Sequence, residues 1–266
     1  MAGEAKKRAH FVLVHGACHG AWSWFKLKPL LESAGHRVTA LDMAASGING
    51  KAIGQVPTFR DYTQPLLDAL ARVDEKVIVV GHSFGGMNCA LAMEIFPQKI
   101  AAAVFLSAFM PDTLHPPSFV IDQCFARAPP GAWLDTEFAP TNSSSQSDFL
   151  TILFGPEFLC SRLYQLCSKE DMELAKALAR PSSLFLHDLG KAEKFTEEGY
   201  GSVSRVYVIC NEDRGMEEEF QRWMIQNYVV EEVVEIKESD HMAMLCEPIK
   251  LFDCLSKVAD NYSLDW

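Results

Sequence analysis

An apolar run at residues 76–80 ends at Gly81-His82-Ser83-Phe84-Gly85, and residues 87–96 follow it with the character of a helix. A strand that passes through G-x-S-x-G into a helix leaves the chain few folds to choose from. The pentapeptide holds a serine hydroxyl out on a sharp turn, where its oxygen is exposed and the N–H groups that open the helix can face developing negative charge. The flanking glycines let the backbone make the turn and let strand and helix approach closely.

The rest of the chain supplies the layers such a turn needs. Short apolar runs at 10–14, 37–41, 76–80, 101–106, 205–210 and 233–237 read as strands. Most are near-continuous rather than alternating, the pattern of parallel strands buried on both faces. Helical segments at 21–34, 59–73, 87–96 and 217–227 separate several of them, so strand and helix alternate in a doubly wound, mainly parallel sheet. Gly35 and Pro97 stand where helices should stop.

The alternation breaks between residues 109 and 201. That stretch carries Pro111, Pro116, Pro117 and Pro129-Pro130-Gly131, a polar segment at 141–148, and helix-like pieces at 157–167 and 169–180. No strand-like run is read in it before Val203. Phe109, Phe119, Trp133, Phe138, Phe149, Phe154, Phe158, Tyr164 and Phe185 give it too much aromatic content for a disordered insertion. The expected organisation is a core of residues 1–108 and 202–266 with a folded cap, 109–201, roofing the carboxyl ends of the strands, where open α/β sheets bind ligands.

A serine on such an elbow needs a base, and the base needs an orienting acid; in this architecture they follow in the order serine, acid, histidine. The run 205–210 is followed by Asn211-Glu212-Asp213, and the run 233–237 by Glu238-Ser239-Asp240-His241. Both partners thus lie past strand ends, on the edge that carries Ser83. Asp213 is favoured as the acid with Glu212 its rival, and His241 is the base. Asp240 reads as a loop cap. The loop His15-Gly16-Ala17-Cys18-His19-Gly20 follows the first strand, so the N–H groups of Ala17 and Phe84 are the expected oxyanion donors.

The remaining histidines read as structural. His82 should hydrogen-bond beneath the elbow, and His36 and His187 look like surface or cap residues. His15 and His19 share i, i+4 spacing, but glycines surround them and no H-E-x-x-H pattern is present, so no metal site is expected.

Composition narrows the partners. With 24 Lys and Arg against 35 Asp and Glu, the net charge is −11, which disfavours nucleic acid and anionic membranes. The start of the chain, with Lys6, Lys7 and Arg8, lacks the apolar stretch of a secretory signal, and no run approaches a membrane span. A cytoplasmic protein is expected, its eight cysteines reduced and mostly buried.

Several long stretches carry a family resemblance: 11–22 (FVLVHGACHGAW), 26–32 (KLKPLLE), 81–88 (GHSFGGMN), 108–112 (AFMPD), 133–136 (WLDT), 180–185 (RPSSLF) and 239–248 (SDHMAMLCEP). In these, and over essentially its whole length, the chain resembles the plant methylesterase and hydroxynitrile lyase family of α/β-hydrolases. The resemblance implies an α/β-hydrolase fold and a Ser83–His241–Asp213 acyl-enzyme mechanism without a cofactor. The substrates it implies are methyl esters of small plant hormone-type acids, methyl salicylate first. Lyases of the family carry threonine at the position of Gly16, lysine at that of Met242 and glutamate at that of His82, and all three differences favour the esterase branch.

By the same resemblance, Gly16, Phe109, Trp133, Phe138, Ile152, Leu184 and Met242 line the substrate pocket. Cys124 and Phe125 replace the tyrosine and asparagine of the salicylate type, which enlarges one wall and leaves jasmonate, indole-acetate and alkaloid methyl esters open. The alternatives are a hydroxynitrile lyase, a decarboxylating relative, or a receptor that binds the acid with little turnover. A homodimer is expected by family analogy only.

Overall fold

The structure is a computed structural model, and it describes residues 8–140 and 150–262. Lys6, Lys7, the polar segment 141–148 and Phe149 lie outside the described residues. In chain order the first half supplies strands β1 (His10–Val14), β2 (Arg37–Leu41), β3 (Val77–His82) and β4 (Ile100–Leu106). Helices α1 (Leu27–Ser33), α2 (Phe59–Arg72) and α3 (Gly85–Ile95) separate them. The middle of the chain adds short strands β5 (Glu137–Pro140), β6 (Leu150–Leu153) and β7 (Ser182–Ser183). Its helices are α4 (Phe119–Arg127), α5 (Pro156–Phe158), α6 (Lys169–Leu178) and α7 (Leu186–Lys191). The last part carries β8 (Arg205–Cys210), α8 (Glu218–Asn227), β9 (Glu232–Ile236), α9 (Ala243–Cys246) and α10 (Pro248–Tyr262).

Six strands pair in parallel in the order β2-β1-β3-β4-β8-β9. The inner strands β1, β3 and β8 are buried at every residue, which is why their sequences are unbroken apolar runs. The outer strands differ. β2 is half-exposed, and β9 alternates in exposure, with Val233 and Glu235 outward and Ile236 buried, because one face meets solvent. The chain leaves β1 toward β2 and returns to β3 on the other side, so the order reverses between β1 and β3. Open α/β sheets bind ligands at such a reversal, and the turns after these two strands are the glycine loop and the serine elbow.

The insertion departs from the all-helical reading of the sequence. β5, β6 and β7 form a separate antiparallel sheet, joined through pairs such as Phe138 with Ile152 and Ile152 with Ser182. Strands this short, one of them ending in Pro140, show too few alternations to stand out from loop. The helical reading of 21–34 is also corrected: a short 3-10 turn at Ala21–Trp24 precedes α1. The described residues contain no helix long and apolar enough to cross a membrane.

Candidate active site

The elbow is built by close contact. A side chain at Gly85 would lie 2.6 Å from the carbonyl oxygen of Val14, so only glycine lets α3 start this near β1. Ser83 is held at φ 54°, in the left-handed region that costs a non-glycine residue on the order of 1 kcal/mol or more. Surrounding bonds keep it there: its N–H donates to the Leu106 carbonyl at 3.3 Å, and its carbonyl accepts from Gly86 and Phe109 at 3.1 Å each. Cys18 (φ 62°) and Ser107 (φ 38°) are strained in the same way. The three sit just past β3, β1 and β4, on the one sheet edge where ligand is expected.

Asp213 stands in the turn after β8 and His241 in the turn after β9. His241 Nδ1 lies 2.6 Å from Asp213 Oδ2, and both side chains are buried. A carboxylate only accepts, so Nδ1 carries the proton and Nε2 keeps its lone pair. Three more donors hold the acid: Ser107 Oγ at 2.5 Å, and the N–H groups of Gly215 and Met216 at 2.7 and 2.8 Å. Glu212, the rival acid, is exposed, and its carbonyl accepts from Gln165. Ser107 had no sequence signal beyond its place at the end of β4.

His82 Nε2 meets the His241 carbonyl oxygen at 2.8 Å, so His82 braces the histidine loop from below. Burial, then the proximity of His241 and His19, keeps its pKa well below the usual histidine range and the ring neutral. His19 is buried too; its Nδ1 lies 2.7 Å from the Ala17 carbonyl oxygen and its Nε2 2.7 Å from the Tyr164 hydroxyl. Burial pushes its pKa down to about 4. His15 is lowered for the same reason and accepts from the Met43 N–H at 3.1 Å. His36 is buried rather than superficial, accepting from the Ala9 N–H and meeting Phe11 edge-on.

Ser83, His241, Ala17 and Phe84 border one cleft. Among the described residues, no hydrogen bond engages the N–H of Ala17 or Phe84. The walls are Phe109, Cys124, Phe125, Trp133, Ile152 and Leu184, with Phe154, Phe158, Leu163 and Met216 completing them. Burial pushes the Cys124 thiol up to about 12, so it acts as apolar wall and not as a second nucleophile. The same Cys124, Trp133 and Phe158 back a neighbouring cleft that Arg127, Arg162 and Arg214 border.

Two expected lining residues stand elsewhere, and a third, Gly16, abuts Ser83 itself. Phe138 is 37% exposed and packs edge-on against Trp133 from outside, because its place on β5 turns it off the cleft. Met242 is fully buried in the core and does not line the cleft, its N–H donating to Asp240. Gly16 lies against the elbow: a Cβ there would come 2.8 Å from Ser83 Cβ and 3.3 Å from Ser83 Oγ. Phe154, Phe158, Leu163 and Met216 were missed as pocket residues, because an aromatic or aliphatic residue in the insertion reads equally well as core.

Fold and site agree with what the chain is similar to. A profile of the alpha/beta hydrolase family matches residues 11–250, and the chain belongs to that family. It is 58% identical to salicylic acid-binding protein 2 of Nicotiana tabacum over 97% of this chain and all of the relative. Methylesterase 1 of Arabidopsis thaliana is 53% identical over 97% of this chain and 99% of its own. The crystal structure of polyneuridine aldehyde esterase superimposes with a TM-score of 0.93 at 48% identity, covering 96% of this chain and all of that one.

Proposed function

We propose that the protein is a carboxylesterase that hydrolyses methyl esters of small acids through an acyl-enzyme on Ser83, with methyl salicylate the foremost substrate. The observation that carries the reading is the 2.6 Å contact between His241 Nδ1 and a four-fold-bonded Asp213, in one cleft with Ser83 and two unengaged N–H groups. His241 Nε2 takes the Ser83 proton as the oxygen attacks the ester carbonyl. Asp213 keeps the ring in the tautomer that can do so and stabilises the imidazolium that forms. The N–H groups of Ala17 and Phe84 receive the oxyanion, each donor worth roughly 3 kcal/mol in the transition state. His241 then protonates departing methanol, activates water against the acyl-serine, and releases the acid. None of these steps asks for a cofactor.

The apolar, aromatic walls suit a flat acyl group, and the name of the tobacco relative specifies the acid half of methyl salicylate. Gly16 supports esterase over lyase chemistry, since any side chain there would crowd Ser83 Oγ. A homodimer, by family analogy, and a cytoplasmic location, from the sequence, are part of the proposal.

The test is acid release from methyl salicylate, methyl jasmonate and methyl indole-acetate by purified protein, beside cleavage of mandelonitrile. Ester hydrolysis with methyl salicylate leading, and no cyanide release, is the expected result. Mandelonitrile cleavage without ester turnover would replace this reading with the lyase. Saturable salicylate binding without turnover of any ester would replace it with the receptor.

A further inference from the structure

Behind the histidine loop, three side chains that the proposed reaction does not use point at one another. Cys167 precedes α6, Asp240 immediately precedes His241, and Cys246 ends α9. Their two sulfurs and a carboxylate oxygen all lie within 4.8 Å of one another. The Cys167 sulfur is 3.7 Å from Asp240 Oδ1, and the Cys246 sulfur is 3.4 Å from Ser239 Oγ. Asp240 is buried while both cysteines are half-buried, so the trio has a dry back and a side open to solvent.

Zinc–sulfur and zinc–carboxylate bonds of about 2.3 and 2.0–2.2 Å place tetrahedral ligands roughly 3.5–3.8 Å apart. The 3.7 Å edge already has that length, and the widest separation exceeds it by about 1 Å at most. A disulfide would ask far more, since its sulfurs must close to about 2.05 Å. Two thiolates and one carboxylate also form a soft donor set that selects zinc-like ions over magnesium or calcium.

We propose that Cys167, Asp240 and Cys246 form a binding site for a thiophilic divalent cation of the zinc class, with water as the fourth ligand. Each thiol gives up its proton to solvent on binding, so the ion, two thiols and one carboxylate become a complex of net charge −1 plus two protons. The site is placed to act on turnover. Asp240 Oδ2 accepts from the Leu166 N–H at 2.7 Å and Oδ1 from the Met242 N–H at 2.9 Å, so the carboxylate ties the turn before α6 to the residue after His241. An ion that draws Asp240 toward the cysteines shifts both. The expected several-fold loss of esterase activity rests on the role proposed for His241; the binding itself does not.

The test uses the full chain, reduced and stripped with chelator. Cadmium serves as the optical probe and zinc as its competitor. One equivalent of cadmium should saturate a thiolate-to-metal ultraviolet band that zinc erases. Zinc should also shield Cys167 and Cys246, but not exposed Cys160, from alkylation mapped by mass spectrometry. Cys167→Ser and Cys246→Ser should each abolish the band, and Cys160→Ser should keep it. Should either variant fail to fold, judged by its melting curve, the alkylation map of the unmodified chain decides. A band without defined stoichiometry, or one that survives both substitutions, would overturn the proposal. So would cysteines that zinc leaves open to alkylation.

Discussion

The floor of the cleft and its roof are built on different principles. The floor is polar and held by directional bonds. Asp213 accepts four hydrogen bonds, His82 braces the His241 carbonyl, and strained Ser83 is held by three backbone bonds. The roof is a stack of rings with few directional bonds: Trp133 lies on Phe125 at 4.7 Å and on Phe158 at 5.6 Å, and Phe158 on Phe154 at 4.9 Å. Hydrogen bonds fix atoms to fractions of an ångström, as bond-making requires. Apolar packing tolerates exchange of side chains of similar volume. The floor therefore sets the reaction and the roof sets which acyl group reaches it.

Breaking the floor should have the largest effect. Asp213→Asn leaves His241 in the wrong tautomer, and kcat should fall about 10⁴-fold in steady-state assays while KM moves little. The seam between the regions comes next. His19 joins the Ala17 carbonyl on the floor to Tyr164 of the insertion, and when folded it takes a proton only near pH 4. The unfolded chain's histidine protonates at about 6.5, so this contribution to stability is complete above pH 6.5 and is lost as pH falls toward 4, about 3 kcal/mol in all. Denaturant melts across that range should show the decline, and His19→Gln should lessen it, leaving the share of buried His15 and His82.

Gly16→Thr intrudes on the floor. With a Cβ 2.8 Å from Ser83 Cβ, kcat/KM for every methyl ester should drop about 100-fold. The roof should respond least and most selectively. Cys124→Tyr narrows the wall shared with the arginine-bordered cleft, and should shift the ranking of methyl esters by about tenfold, in favour of flat, small acids. Equal loss on all esters would mean that the wall positions the floor rather than the substrate.

The floor was legible because its parts carry local signals: a glycine-flanked serine after one strand, an acid and a histidine after two others. Asp213 and Glu212 were separable only in space, where one faces His241 and the other faces solvent. Ser107 stayed hidden because a serine at a strand end has no pattern of its own. The roof was harder to read, because β5 to β7 span two to four residues each and show no period. Phe138 and Met242 show that resemblance can name a pocket residue whose place on its element turns it elsewhere. α10 lay in plain view, since Leu251, Cys254, Leu255, Val258 and Ala259 repeat at helical spacing, yet it bears on no chemistry and was passed over.

The most direct test of the central claim is the reaction of the folded protein with a fluorophosphonate, followed by intact-mass and peptide mapping. One label per chain is expected, on Ser83, at a rate that His241→Ala reduces by orders of magnitude. A label on any other residue, or a His241→Ala protein that reacts as fast as the unmodified one, would contradict it.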